Sequence, residues 1–147
     1  MIIAKLEDKF FVANTHLIEV MDKRKGLWDN AKKRGYGIVL LDLGDGLRFG
    51  IPLRSNFKGR HGYRTVNGKG LDFSKAVLIT DDGYIGPSFM IPRDEFVKIK
   101  DREHFIRKQF GKYVKRYIEL VNSGSGETLA RSYRYSTLQN YHAELGI

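Results

Sequence analysis

Two apolar runs, "YGIVLLDL" at 36–43 and "LRFGIPL" at 47–53, meet across "GDG" at 44–46. Asp-Gly between strand-like runs is a strong hairpin signal, because the turn needs positive φ and glycine takes it without steric cost. Leu47, Phe49, Ile51 and Leu53 keep a period of two, so one face of the second run is buried. Pro52 has no N–H to give to a ladder, which predicts a sheet edge or a bulge there.

Other elements are read around this hairpin. "KFFVAN" at 9–14 predicts an early strand, followed by a helix capped at Asn14 or Thr15 and running through Leu17, Ile18 and Met21. The stretch 22–35, "DKRKGLWDNAKKRG", reads as a basic loop or broken helix. "AVLI" at 76–79 and "GYIG" at 83–86 add strands on either side of a "TDDG" turn. Asp81 and Asp82 are read as turn residues, not metal ligands.

After Pro92 the period changes. Ile106, Phe110, Tyr113, Val114, Tyr117, Ile118 and Val121 fall at helical spacing, and Lys108, Lys112, Lys115 and Glu119 fall on another face. A long amphipathic helix from near Asp101 to 122–124 is expected. Gly111 inside it is read as a point of close packing. "ETLARSYRY" starts a further helix, and Ser136-x-x-Gln139 is a capping-box pattern opening the segment 135–145. Strands come first and helices last. That order predicts an α+β fold, an antiparallel sheet with helices packed on it and a long C-terminal amphipathic helix.

A chain of 147 residues fits a single domain, 1–147, with a core of its own. It has no cysteine, which excludes disulfides and thiolate metal sites. No run reaches membrane-spanning length, and "MIIAKLEDKFF" is too charged for a secretory signal, so a cytoplasmic protein without membrane contact is expected. Lys and Arg total 26 against 17 Asp and Glu, a formal charge of +9. Such an excess attracts polyanions, and nucleic acid is the leading class.

The chemistry concentrates in "FGIPLRSNFKGRHGY", residues 49–63. An apolar strand runs into Arg54, Lys58, Arg60 and His61, with hydroxyls at Ser55 and Tyr63 and no acid. The chain has no Walker loop, HExxH or nucleophile elbow. RNA brings its own nucleophile, the 2′-hydroxyl, so a protein need supply only a base, an acid and positive charge. His, Lys, Arg, Ser and Tyr suffice for metal-free cleavage, with no cofactor. An unperturbed histidine titrates near 6.5, which suits His61 to proton transfer near neutrality. Trp28 among Lys32, Lys33 and Arg34 has the aromatic and cationic interleaving of a single-stranded RNA site. His16 and His104 read as surface residues, and His142 as a histidine satisfied in the core.

Four segments together, "RGYGIVLL", "LRFGIPLRSN", "GLDFSKAVLI" and "RYSTLQNYHAEL", resemble the toxins of type III toxin–antitoxin systems. The similarity is to the TenpN group, related to ToxN, AbiQ and CptN, and runs from about "NTHLIEVMD" to the C-terminus. The resemblance implies a metal-independent endoribonuclease with a compact, barrel-like antiparallel β core and surrounding helices. It implies substrate mRNA cleaved by 2′-hydroxyl attack, and a small structured repeat RNA as antitoxin, held in a hetero-oligomeric protein–RNA assembly. It further implies a role in growth arrest or phage defence.

The family strand ends in Pro-Leu-Thr-Ser with a lysine close behind. Here it ends in Pro52-Leu53-Arg54-Ser55, and the next lysine is Lys58. Ser55 matches the family serine, and Lys33, then Lys32, matches an upstream family lysine. His61 rests on its chemistry alone. The expected catalytic set is Ser55, Lys33, His61 and Arg54. The expected RNA-binding set is Lys32, Arg34, Tyr36, Asn56, Lys58, Arg60, Ser74, Lys75, Trp28, Lys108, Lys112 and Lys115. Asp72 is a candidate to orient a neighbouring cation, while turn hydrogen bonds by Asp72 and Ser74 are the structural alternative. Two rival functions stand beside the nuclease: a non-catalytic RNA-binding module, and a DNA-binding regulator using "ETLARSYRYSTLQNYHAEL" as a helix–turn–helix.

Overall fold

The structure, a computed structural model, describes residues 1–21, 23–24, 27–28 and 36–147. Its strands are β1 (Ile3–Leu6), β2 (Lys23–Arg24), β3 (Leu27–Trp28), β4 (Gly37–Asp42), β5 (Arg48–Arg54), β6 (Gly62–Arg64), β7 (Gly70–Asp72), β8 (Val77–Leu78) and β9 (Ile85–Ser88). The described α-helices are α1 (Asp8–Ala13), α2 (Arg93–Lys100), α3 (Glu103–Asn122), α4 (Gly126–Ser132) and α5 (His142–Leu145). The fold is α+β.

The β4–β5 hairpin is the centre of a seven-stranded antiparallel sheet, with Ile38 opposite Pro52 and Asp42 opposite Arg48. Asp45 and its two flanking glycines all have positive φ, as the turn demands. The strand path β6-β7-β5-β4-β1-β9 ends at β6 and at β9, and β8 joins β5 beside β7. The sheet is therefore open, and the barrel-like core does not form. β2 and β3 pair with each other in a separate ribbon.

Several local expectations are corrected, among them the helix from Asn14 or Thr15 through Met21, since residues 14–21 are turns and irregular chain. Residues 8–13 form a helix, not a strand, and bury Phe10 and Phe11. A short apolar run fits either element, and packing decided for the helix. Pro52 lies in a central strand, so of the expected edge or bulge the edge is ruled out, and the pairing on one side is interrupted there. On one side of β5 the partner changes from β8, which pairs Phe49 and Gly50, to β7, which pairs Leu53 and Arg54. Pro52 falls in that gap, where a missing donor costs least.

α3 lies along the core through Ile106, Phe110, Tyr113, Val114 and Tyr117. Phe110 meets Phe49 of β5 edge-on at 5.2 Å and Phe73 at 5.3 Å. Removing such a buried ring costs about 3–5 kcal/mol. The chain does not end on this helix: α4, a 3-10 turn at Thr137–Asn140 and α5 come after it. Gly111 is not a point of close packing, since a Cβ there would meet Leu43 at an ordinary 3.8 Å.

The C-terminal segment is stapled to the core by polar bonds. Tyr133 donates to the Tyr113 carbonyl at 2.8 Å, and Tyr113 donates to Ser136 Oγ at 2.8 Å. Ser136 caps the 3-10 turn by accepting from the Leu138 amide, and Gln139 Nε2 reaches the Ser136 carbonyl at 2.8 Å. Thr137 Oγ1 donates to the Ala76 carbonyl. Asn140 clasps the backbone of Ile18 in both directions, at 3.0 and 2.8 Å. The bonds of Tyr113, Tyr133, Ser136 and Thr137 are buried, so each satisfies a group that burial would otherwise penalise; the Asn140 clasp is exposed. On the other flank, buried Thr65 donates to Glu95 of α2 at 2.9 Å.

Candidate functional site

The loop that carries Arg60 and His61 is pinned by one phenylalanine. Phe57, 3% exposed, fills a socket made by glycines. A Cβ on Gly62 or on Gly70 would stand 2.5 Å from its ring, and one on Gly59 2.8 Å. Its amide donates to the Gly68 carbonyl at 2.8 Å, and its own carbonyl accepts from Arg64 at 2.8 Å. The loop between β5 and β6 is thus pinned in its middle, and Arg60 and His61 are presented just before β6. The carbonyl of His61 accepts from the Phe73 amide at 3.0 Å, which fixes its backbone beside β7.

His61 lines a cleft of about 320 Å³ together with Arg60, Tyr63, Phe105, Lys112 and Arg116. Its imidazole stacks on Tyr133, with 5.7 Å between centroids and 13° between planes, and lies tilted against Tyr113 at 5.1 Å. Its Nε2 is 3.1 Å from the carbonyl of Ser132, at the C-terminal end of α4. A carbonyl only accepts, so Nε2 carries the proton and Nδ1 keeps the lone pair of the neutral ring. Burial holds the imidazole pKa below its usual 6.5, Arg60 and Arg116 push the same way, and the Ser132 bond and Asp72 oppose them. The ring is therefore neutral and basic at pH 7. The hydroxyls of Tyr113 and Tyr133 are committed to structural bonds.

A second cluster gathers on Asp72 at the end of β7. Arg54 Nη1 reaches Asp72 Oδ2 at 2.9 Å, with the side chains 38% and 4% exposed. Oδ1 accepts from the Ser74 amide at 3.0 Å and from Ser74 Oγ at 2.6 Å. Asp72 therefore both orients a cation and closes a turn. Lys75 Nζ donates to the Tyr135 carbonyl at 2.9 Å and pairs with Glu19 at 3.7 Å. Burial lowers the Lys75 pKa, and the Glu19 and Asp72 charges offset part of that.

The expected residues therefore divide. Arg60, His61 and Lys112 share the cleft. Ser55, Asn56 and Lys58 are in the loop after β5 and do not line it. Lys108 and Lys115 are on the solvent face of α3, outside the cleft. Arg54 and Ser74 are engaged with Asp72, and Lys75 with Tyr135 and Glu19. Tyr36 is fully buried, against Phe11 at 5.6 Å, and cannot touch RNA as expected. Lys32, Lys33, Arg34 and the side chain of Trp28 lie outside the described residues. His142 is held by the Tyr117 hydroxyl at 2.6 Å, and His16 and His104 are exposed.

Sequence reasoning missed Phe105, Gln109, Arg116 and Tyr133, which also line the cleft. Phe105, Gln109, Lys112 and Arg116 sit at i, i+4, i+7 and i+11, a second stripe on α3 beside the apolar one. That spacing was the available signal. Among the described residues no group of three or more His, Asp or Glu could hold a metal ion, and no helix is long and apolar enough to cross a membrane. Comparison with family models, curated proteins and solved structures finds no match to the chain.

Proposed function

We propose that the chain is a metal-independent endoribonuclease acting on single-stranded RNA, and that it works as the toxin of a type III toxin–antitoxin pair. One observation carries the nuclease reading: a half-buried His61, held neutral with Nε2 on the Ser132 carbonyl, in a cleft whose charged lining among the described residues is wholly cationic. Nδ1 takes the proton of the 2′-hydroxyl. The 2′-oxygen bonds to phosphorus, the P–O5′ bond breaks, and a 2′,3′-cyclic phosphate remains. The departing 5′-oxygen needs a proton, and Lys112 carries one in the same cleft. Arg60 and Arg116 stabilise the charge on the phosphorane oxygens. Ser55 and Arg54, at the end of β5, serve the flanking backbone. A repeat-derived antitoxin RNA would cover the same basic cleft, since one surface must serve both polyanions. The toxin assignment itself rests on the resemblance of the four sequence segments.

Single-turnover cleavage beside equilibrium binding tests this. His61→Ala should lose about 10²–10⁴-fold in rate with little loss of affinity. Ser55→Ala should lose less, because Ser55 stands outside the cleft. RNA bound by the wild type but never cleaved would leave a non-catalytic RNA-binding module, the reading favoured by the absence of Ser55 from the cleft.

A further inference from the structure

We infer that Phe105 is a stacking platform for one unpaired nucleobase, at the head of a helix stripe that grips the same strand. This rests on the RNA reading above and deepens it by naming where a base sits. Phe105 is 40% exposed, although it stands next to buried Ile106 on α3. Its ring lines the His61 cleft, with Tyr63 edge-on at 6.4 Å. The Arg102 guanidinium lies 4.5 Å from its centroid. An exposed aromatic carrying a stacked arginine matches what single-stranded nucleic acid uses: every base has a π-face, and the cation adds to the stack and to phosphate neutralisation. Bases of a duplex already stack on each other and cannot insert, so the ligand is unpaired.

The residues beyond Phe105 on the stripe favour a nucleotide over any other planar ligand. Gln109 is one turn on, and its amide offers both a donor and an acceptor to a base edge. Lys112 and Arg116 come next, about 10 and 16 Å along the axis from Phe105. Neither forms an ion pair among the described residues, so both charges are available to phosphates. The stripe thus offers, in order, a ring for the base, an amide for its edge and two cations for the backbone leading past His61.

The test is a double-mutant cycle by fluorescence polarisation at fixed salt. The probe is a labelled single-stranded oligoribonucleotide, 2′-O-methylated so that no cleavage occurs, with a matched set each carrying one abasic position. Phe105→Ala should weaken binding about 5- to 100-fold. Phe105→Trp should bind like the wild type, and Phe105→Leu should not rescue. One abasic position should weaken the wild type by a similar factor and have little further effect on Phe105→Ala. The dependence on salt should be unchanged, since no phosphate contact is removed. Independent, additive effects at every position, or full binding by Phe105→Leu, would overturn the platform while leaving the RNA reading in place. No binding of any probe by the wild type would overturn both.

Discussion

The ring of His61 lies within 13° of parallel to that of Tyr133, while its Nε2 holds the carbonyl of Ser132, one residue earlier. One short stretch at the end of α4 therefore sets both the plane and the tautomer of the candidate base. The acid limb of a cleavage pH profile should fall below 6.5, because burial lowers the His61 pKa and the ring accepts a proton only when neutral. His61→Gln keeps a donor for Ser132 and should abolish that limb. Stability has the opposite source but the same window. The unfolded chain protonates first, so this contribution is present above about 6.5 and is lost as pH falls through the lower folded value. An acid limb that stays in His61→Gln would remove histidine from the mechanism.

Cleavage should be indifferent to EDTA. The charged and titratable groups in the cleft include Arg60, His61, Lys112 and Arg116, a set that repels a divalent cation and attracts phosphate. Activity lost in EDTA and restored by magnesium, with the RNA fold unchanged, is the opposing result.

The Asp72 cluster predicts a stability hierarchy. Asp72→Ala leaves Arg54 without its partner and loses the bonds from Ser74, and should cost about 2–3 kcal/mol. Arg54→Ala should cost roughly 1–2 kcal/mol, discounted because Arg54 is partly exposed and water replaces some of its contact. Urea midpoints of the two variants decide. Equal and negligible effects would show that the pair is only a surface contact.

Two glycines should respond oppositely to alanine. At Gly62 the new methyl would collide with the Leu71 carbonyl and stand 2.5 Å from Phe57, so Gly62→Ala should destabilise and disturb the loop that presents His61. At Gly111 the nearest atom is 3.8 Å away, so Gly111→Ala should stabilise by up to about 1 kcal/mol. Thermal melts of both would expose a reversed order at once.

Alkali should weaken the fold. Burial raises the pKa of Tyr113 and Tyr141, and that of Tyr133 to about 12, against 10.0 for free tyrosine. The folded chain keeps these protons while the unfolded chain releases them. This stability is whole below about pH 10 and is lost progressively as pH rises towards the folded values. Lys75 works the other way, because its folded pKa is lowered, but it stands alone against these three tyrosines and against Tyr63 and Tyr117, whose pKa burial also raises. A urea midpoint that stays flat from pH 9 to 11 would contradict the prediction.

The hairpin at 37–54 was legible because turn chemistry and a two-residue period agreed there. α3 was legible for the same reason at the helical period. Residues 8–13 were not, since the four-residue apolar run Phe10 to Ala13 has no period long enough to separate helix from strand. The open sheet was illegible because closure depends on which edges meet, not on any one segment. At the site, charge drew attention to Arg60 and His61, but their placement comes from Phe57 in its glycine socket. The stripe from Phe105 to Arg116 was hidden by a stronger apolar stripe on the same helix. The partners of Arg54 and Lys75, Asp72 and Glu19, lie 18 and 56 positions away along the chain, so no local pattern marks these pairs.

An open sheet has two unguarded rims, and both bear on how copies of this chain behave when crowded. At one rim, β9 contains exposed Pro87, which offers no N–H to a newcomer strand. At the other, β6 is three residues long and ends in exposed Arg64. Neither gives a flat template on which a second molecule could extend the ladder. A formal charge of +9 adds repulsion between copies. Self-assembly into cross-β aggregates is thereby discouraged at each end by a different device.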